Sequence, residues 1–133
     1  MLSIRRLASS SLPRASPSTI GLSPRKRPLS TPPLIHPHYL VTYAYPATIL
    51  TDRAPHRPGH VNLAKSYKSK GTLLYAGGVS PPLPAEDKDT PSMGMFLFTD
   101  EDDAREFVQG DPYVKEGVVK EYSVREWACV VVP

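Results

Sequence analysis

The chain is 133 residues long, 40% hydrophobic and 22% charged, with 16 prolines, which is room for one small domain and an appendage but not for two packed domains. Its apolar runs are a few residues long, far short of the roughly 20 a bilayer-spanning helix needs, and the lone Cys129 offers neither an internal disulfide nor a cysteine pair for zinc. The net charge of +3 is uneven: residues 1–38 carry six basic and no acidic side chains, whereas residues 39–133 carry 10 basic and 13 acidic ones. A mildly acidic body has no reason to grip phosphate backbones, so neither nucleic acid nor membrane is an expected partner.

Residues 1–38 hold ten Ser or Thr, seven Pro and six Lys or Arg without one carboxylate, the composition of an organellar presequence with a Pro/Ser-rich linker. A short amphipathic helix could set Ile4, Leu7 and Ala8 together and leave Arg5 and Arg6 elsewhere, while the longer apolar core of a secretory signal is missing. The expectation is import into the mitochondrial matrix, with cleavage between Arg27 and Pro37 and a folded domain over residues 39–133. His36 and His38 then fall in the solvated linker.

Residues 39–45 (YLVTYAY) are aromatic and β-branched and stop at Pro46, which predicts the first strand. A turn with Pro55 and Pro58 follows, then a helix over residues 59–70 that ends at Gly71 and puts His60, Leu63, Ala64 and Tyr67 on one face. Residues 72–76 form the second strand, closed by a Gly77-Gly78 turn, and residues 93–98 (MGMFLF) the third, with a proline-rich acidic loop between them. Thr99 or Asp100 caps a second helix whose first turn is acidic and whose buried face carries Ala104, Phe107 and Val108, and which Gly110 ends. Asp111-Pro112 opens a turn, and residues 118–132 supply one or two last strands.

The order β-α-β-β-α-β is the split arrangement of an α+β, ferredoxin-like fold, with two helices on one face of an antiparallel sheet. In the third strand Met93, Met95 and Leu97 alternate with Phe96 and Phe98, so neither sheet face is written for water. Nothing else in so short a body can cover the helix-free face, which predicts a homodimer packed sheet to sheet.

Three segments carry a resemblance: RPGH at residues 57–60 leading into a helix, GTLLYAGG at 71–78, and DPYVKEGVV at 111–119 followed by Trp127. Through them the sequence resembles the YCII-related (YciI-like) family, small proteins of the dimeric α+β barrel type. The resemblance covers about residues 39–131. It implies a cleft beside the sheet in which His60 and Asp111 form the catalytic pair; beside them Arg57 is expected to hold an anionic substrate, and Tyr45 and Tyr113 are the candidate substrate-binding residues of the cleft wall. Gly78 stands where family members usually carry proline, which loosens that loop without touching an ionisable group.

The chemistry of such a pair is simple. An imidazole exchanges protons near neutral pH, and a carboxylate fixes its tautomer and stabilises its charged form. The same residues also have a plain structural reading, with His60 packed at a helix start and Asp111 capping the turn at Pro112. Tyr43, Tyr45 and Tyr113 could line a cleft or simply pack in the core. His56 and His60 have the spacing of a helical metal pair, but Pro58 places His56 before the helix and no third ligand is near, so no metal site is expected. Cys129, among valines, reads as a small buried hydrophobe. The expected function is cofactor-free acid/base chemistry on a small carbonyl- or hydroxyl-bearing ring, of isomerase or lyase type. The alternative is a non-catalytic metabolite-binding or protein-interaction module.

Overall fold

A computed structural model of the chain describes residues 35–132. Residues 1–34 of the expected presequence and linker therefore lie outside the described residues. The elements run β1 (Ile35–Ala44), α1 (Ile49–Asp52), a 3-10 turn (Ala54–His56), α2 (Arg57–Lys70), β2 (Leu73–Val79), β3 (Met93–Phe98), α3 (Glu101–Gly110), α4 (Pro112–Lys115) and β4 (Glu121–Val130). The four strands make one antiparallel sheet in the order β2-β3-β1-β4. This is the expected ferredoxin-like α+β fold.

Alternation along the strands divides the sheet. Val41 and Tyr43 of β1 and Phe96 and Phe98 of β3 point to one side, where Tyr67 of α2 and Ala104, Phe107 and Val108 of α3 complete the core. α3 starts as predicted: Asp100 accepts a hydrogen bond from the Asp103 N–H, which satisfies one of the open donors of the first turn. α2 ends as predicted at Gly71, whose φ of 93° is left-handed backbone that costs glycine little.

β1 begins at Ile35, four residues before the expected start, so His36, Pro37 and His38 are strand rather than linker residues. They pair only with β4, which leaves one strand edge open and so tolerates Pro37. β2 does not turn at Gly77-Gly78 but continues to Val79, with Gly77 opposite Met95 and Gly78 opposite Gly94. Gly78 is required for close approach, since a Cβ there would stand 2.9 Å from Pro91. The turn expected after β1 contains α1 and the 3-10 turn, and α2 starts at Arg57, two residues early. The last strand is single, and Val118 and Val119 are buried just ahead of it. Cys129 is half-buried opposite His36 on the helix-free face, not in the core, because β4 is an edge strand.

Candidate functional site

The site forms where the N-terminus of α2 meets the junction of α3 and α4. Arg57 and Pro58 open α2, and Gly59 lets that turn press against Pro112, whose Cγ would lie 3.0 Å from a Cβ at residue 59. Asp111 ends α3 and caps α4, with Oδ1 accepting the Tyr113 N–H at 3.0 Å. Two backbone turns that are distant in sequence thus lie side by side.

His60 and Asp111 consequently meet. His60 Nδ1 is 3.0 Å from Oδ1 and 2.9 Å from Oδ2 of Asp111, and the Tyr43 hydroxyl donates to Oδ2 at 2.7 Å. Asp111 is fully buried and His60 nearly so. A carboxylate offers only acceptors, so the network assigns the proton to Nδ1 and leaves Nε2 with its lone pair. The imidazole stacks on the Tyr113 ring, with centroids 3.9 Å apart and planes 4° apart, while Phe96 and Phe107 meet it edge-on. Three aromatic rings thus fix the imidazole, and three donors fix the carboxylate.

His60 lines a cavity of about 660 Å³ between α2, β2 and the loop before β3. Arg57, Tyr45 and Tyr113 line it too, so four of the five residues expected at the site share one hollow, and Asp111 stands directly behind His60. Both structural readings of the pair also hold: Asp111 caps α4 while it holds His60. Burial, and then the neighbouring Tyr113, raises the Tyr45 phenol to about 12. Burial also raises Tyr113, and the Arg57 side chain next to its hydroxyl, followed by the charge of Arg53, partly offsets that rise. Burial and the Asp111 carboxylate push Tyr43 far up, so it stays a donor. Gly94 leaves room for the Tyr45 ring, with which a Cβ would collide.

Sequence reasoning missed Arg53, Lys65, Lys68 and Lys88, all of which line the cavity. Lys65 and Lys68 follow Arg57 by eight and eleven positions, a helical spacing that would have exposed them once Arg57 was placed on α2. Among the described residues no group of three or more His, Cys, Asp or Glu side chains is arranged to hold a metal, and no helix is long and apolar enough to cross a membrane.

The YCII-related domain family model matches residues 37–128. The chain belongs to this family. No curated protein sequence matches this YCII-related chain significantly. Among solved structures it is similar to 5-chloro-2-hydroxyhydroquinone dehydrochlorinase (TftG) from Burkholderia phenoliruptrix AC1100 in complex with 2,5-dihydroxybenzoquinone. The two share 18% identity with a TM-score of 0.56, over 68% of this chain and 92% of that one. At this identity the likeness is one of fold.

Proposed function

We propose that this YCII-related protein is a small-molecule enzyme that moves protons on a hydroxylated ring without a cofactor. The carrying observation is the His60–Asp111 contact, which leaves Nε2 as the basic atom on a residue lining the cavity. In the proposed step Nε2 takes a proton from a ring hydroxyl or from a carbon next to a carbonyl. Asp111 stabilises the imidazolium so formed. The imidazolium then returns the proton to another ring position, an isomerisation, or to a departing group, an elimination. Arg57 binds the developing oxyanion, while Tyr45 and Tyr113 close the wall. The dehydrochlorinase named above acts on a hydroxylated ring, which favours this substrate class.

The decisive experiment gives the full chain 5-chloro-2-hydroxyhydroquinone as substrate and follows chloride release, with 2,5-dihydroxybenzoquinone as the titrated ligand. The parent should release chloride and bind the quinone, and His60→Ala should bind it without turnover. Equal turnover by parent and variant would refute the catalytic role. Binding without turnover by the parent would favour the metabolite-binding module.

Two assignments complete the proposal. The protein acts in the mitochondrial matrix, for which the composition of residues 1–38 is the support; cytosolic fluorescence of a reporter bearing these residues would refute it. It works as a homodimer through the helix-free sheet face. There Met93, Met95, Leu97 and Leu40 lie together, with Tyr75 75% and Trp127 48% exposed.

A further inference from the structure

The cavity is much larger than one ring requires, and its charge does not match the body that holds it. At about 660 Å³ it is in the range of pockets that enclose drug-sized molecules. Of the 10 basic side chains in residues 39–133, five line it: Arg53, Arg57, Lys65, Lys68 and Lys88. Asp89 is the single carboxylate among the lining residues. The salt bridges of the described residues are His60–Asp111, Lys70–Asp103 and Arg105–Glu101, so none of these five cations is neutralised by a protein carboxylate.

The cations are also spread in a definite way. Arg53 and Arg57 stand at the His60 end, whereas Lys65 and Lys68 lie two to three turns further along α2. At a rise of about 1.5 Å per residue, Arg57 and Lys68 are separated by roughly 16 Å along the helix axis. Between them α2 presents the apolar Val61 and Ala64 to the cavity, and β2 adds Leu73 and Ala76 to its lining.

We infer that the substrate is an elongated anion: a hydroxylated ring at His60, an apolar chain along α2, and a second negative group, a carboxylate or a phosphate, held by Lys65 and Lys68. This deepens the proposed function and rests on it for the ring end.

Three probes test it by isothermal titration of the full chain: 2,5-dihydroxybenzoquinone, the same ring with a six-methylene chain ending in a carboxylate, and the same ring with that chain ending in a hydroxyl. The carboxylate probe should bind the parent at least ten-fold more tightly than the hydroxyl probe. The Lys65→Gln/Lys68→Gln variant should lose that advantage and keep the parent's affinity for the bare ring. Equal affinity of the two chained probes, or an advantage that survives in the double variant, would overturn the inference. Turnover of 5-chloro-2-hydroxyhydroquinone that is equal in parent and His60→Ala would instead refute the ring end of the proposed function. Binding of no probe would overturn both. A phosphate-ended fourth probe distinguishes the two anions: the tighter of the two names the group.

Discussion

Gly59 lies against the pyrrolidine ring of Pro112, with only 3.0 Å between Pro112 Cγ and the place a Cβ would occupy. His60 follows the one and Asp111 precedes the other, so this backbone contact sets the distance between imidazole and carboxylate. Gly59→Val should therefore cost about 1–3 kcal/mol through crowding and reduce turnover by loosening the pair. Gly59→Ala should be nearly neutral in stability, because the better helix propensity of Ala, up to about 1 kcal/mol, offsets a shift of a few tenths of an ångström. Urea midpoints of the two variants check this, and a Val variant as stable as the parent would contradict it.

Asp111→Asn keeps the size of the side chain but places an amide N–H₂ among three donors: the His60 Nδ1–H, the Tyr43 hydroxyl and the Tyr113 N–H. At least one of them loses its acceptor in a buried site. The expected cost is about 1–3 kcal/mol of stability. Turnover should fall by about 10²–10⁴-fold, the usual contribution of a positioned acid or base. His60→Ala should show a comparable loss of turnover. Chloride release and urea unfolding of the same preparations separate the two effects.

The fold was legible because its signals are local. The alternation in residues 93–98, the Asp100 cap and the C-terminal Gly71 each act within one element, and each appears as expected. The β1 and β2 boundaries were not legible, because tertiary pairing decided them. Pro37 and the Gly77-Gly78 pair read as breakers, yet both are drawn into ladders by neighbouring strands. The His60–Asp111 pair was reached through the family resemblance, since 51 residues separate its members and no periodicity links them. Tyr43 was noticed as aromatic, but its bond to Asp111 depends on β1 lying beneath the α3–α4 junction, which only the three-dimensional arrangement reveals.

Tyr43 gives the protein an alkaline limit. Burial and the adjacent Asp111 raise its folded-state pKa above the unfolded value near 10. Below that value both states hold the phenolic proton and stability is independent of this group. Above it the unfolded chain has released its proton while the native one retains it. Stability then falls as pH rises, by about 1.4 kcal/mol per pH unit from this residue alone. Tyr43→Phe should lose about 1.5–3 kcal/mol near neutrality, the worth of a hydrogen bond to a charged group, and show a flatter decline between about pH 10 and 11. Urea midpoints across that interval test the sign; a parallel decline in the two proteins would contradict the assignment.

The proposed dimer makes its own demand. Met95 is half-buried on the helix-free face, opposite Thr42 of β1 and Gly77 of β2. Met95→Glu would place a charge at the centre of a sheet-to-sheet interface, at a cost of several kcal/mol if the charge is buried there. The parent should sediment at twice 14.6 kDa at micromolar concentration, and the variant at 14.6 kDa with unchanged helix content by circular dichroism. A monomeric parent would remove the dimer from the proposal.

The early start of β1 bears on where the chain can be shortened. Residues 35–38 pair with Trp127, Ala128, Cys129 and Val130 of β4. Removal of residues 1–38 therefore strips β4 of part of its only strand neighbour and uncovers Trp127, which pairs with His38. Two or three ladder hydrogen bonds at about 1 kcal/mol each put the loss at roughly 2–3 kcal/mol. Removal of residues 1–33 leaves the ladder whole and should leave the unfolding midpoint of the domain where it is in the full chain. Urea unfolding of the two shortened chains side by side measures the difference, and equal midpoints would mean that the first four residues of β1 add nothing to the sheet.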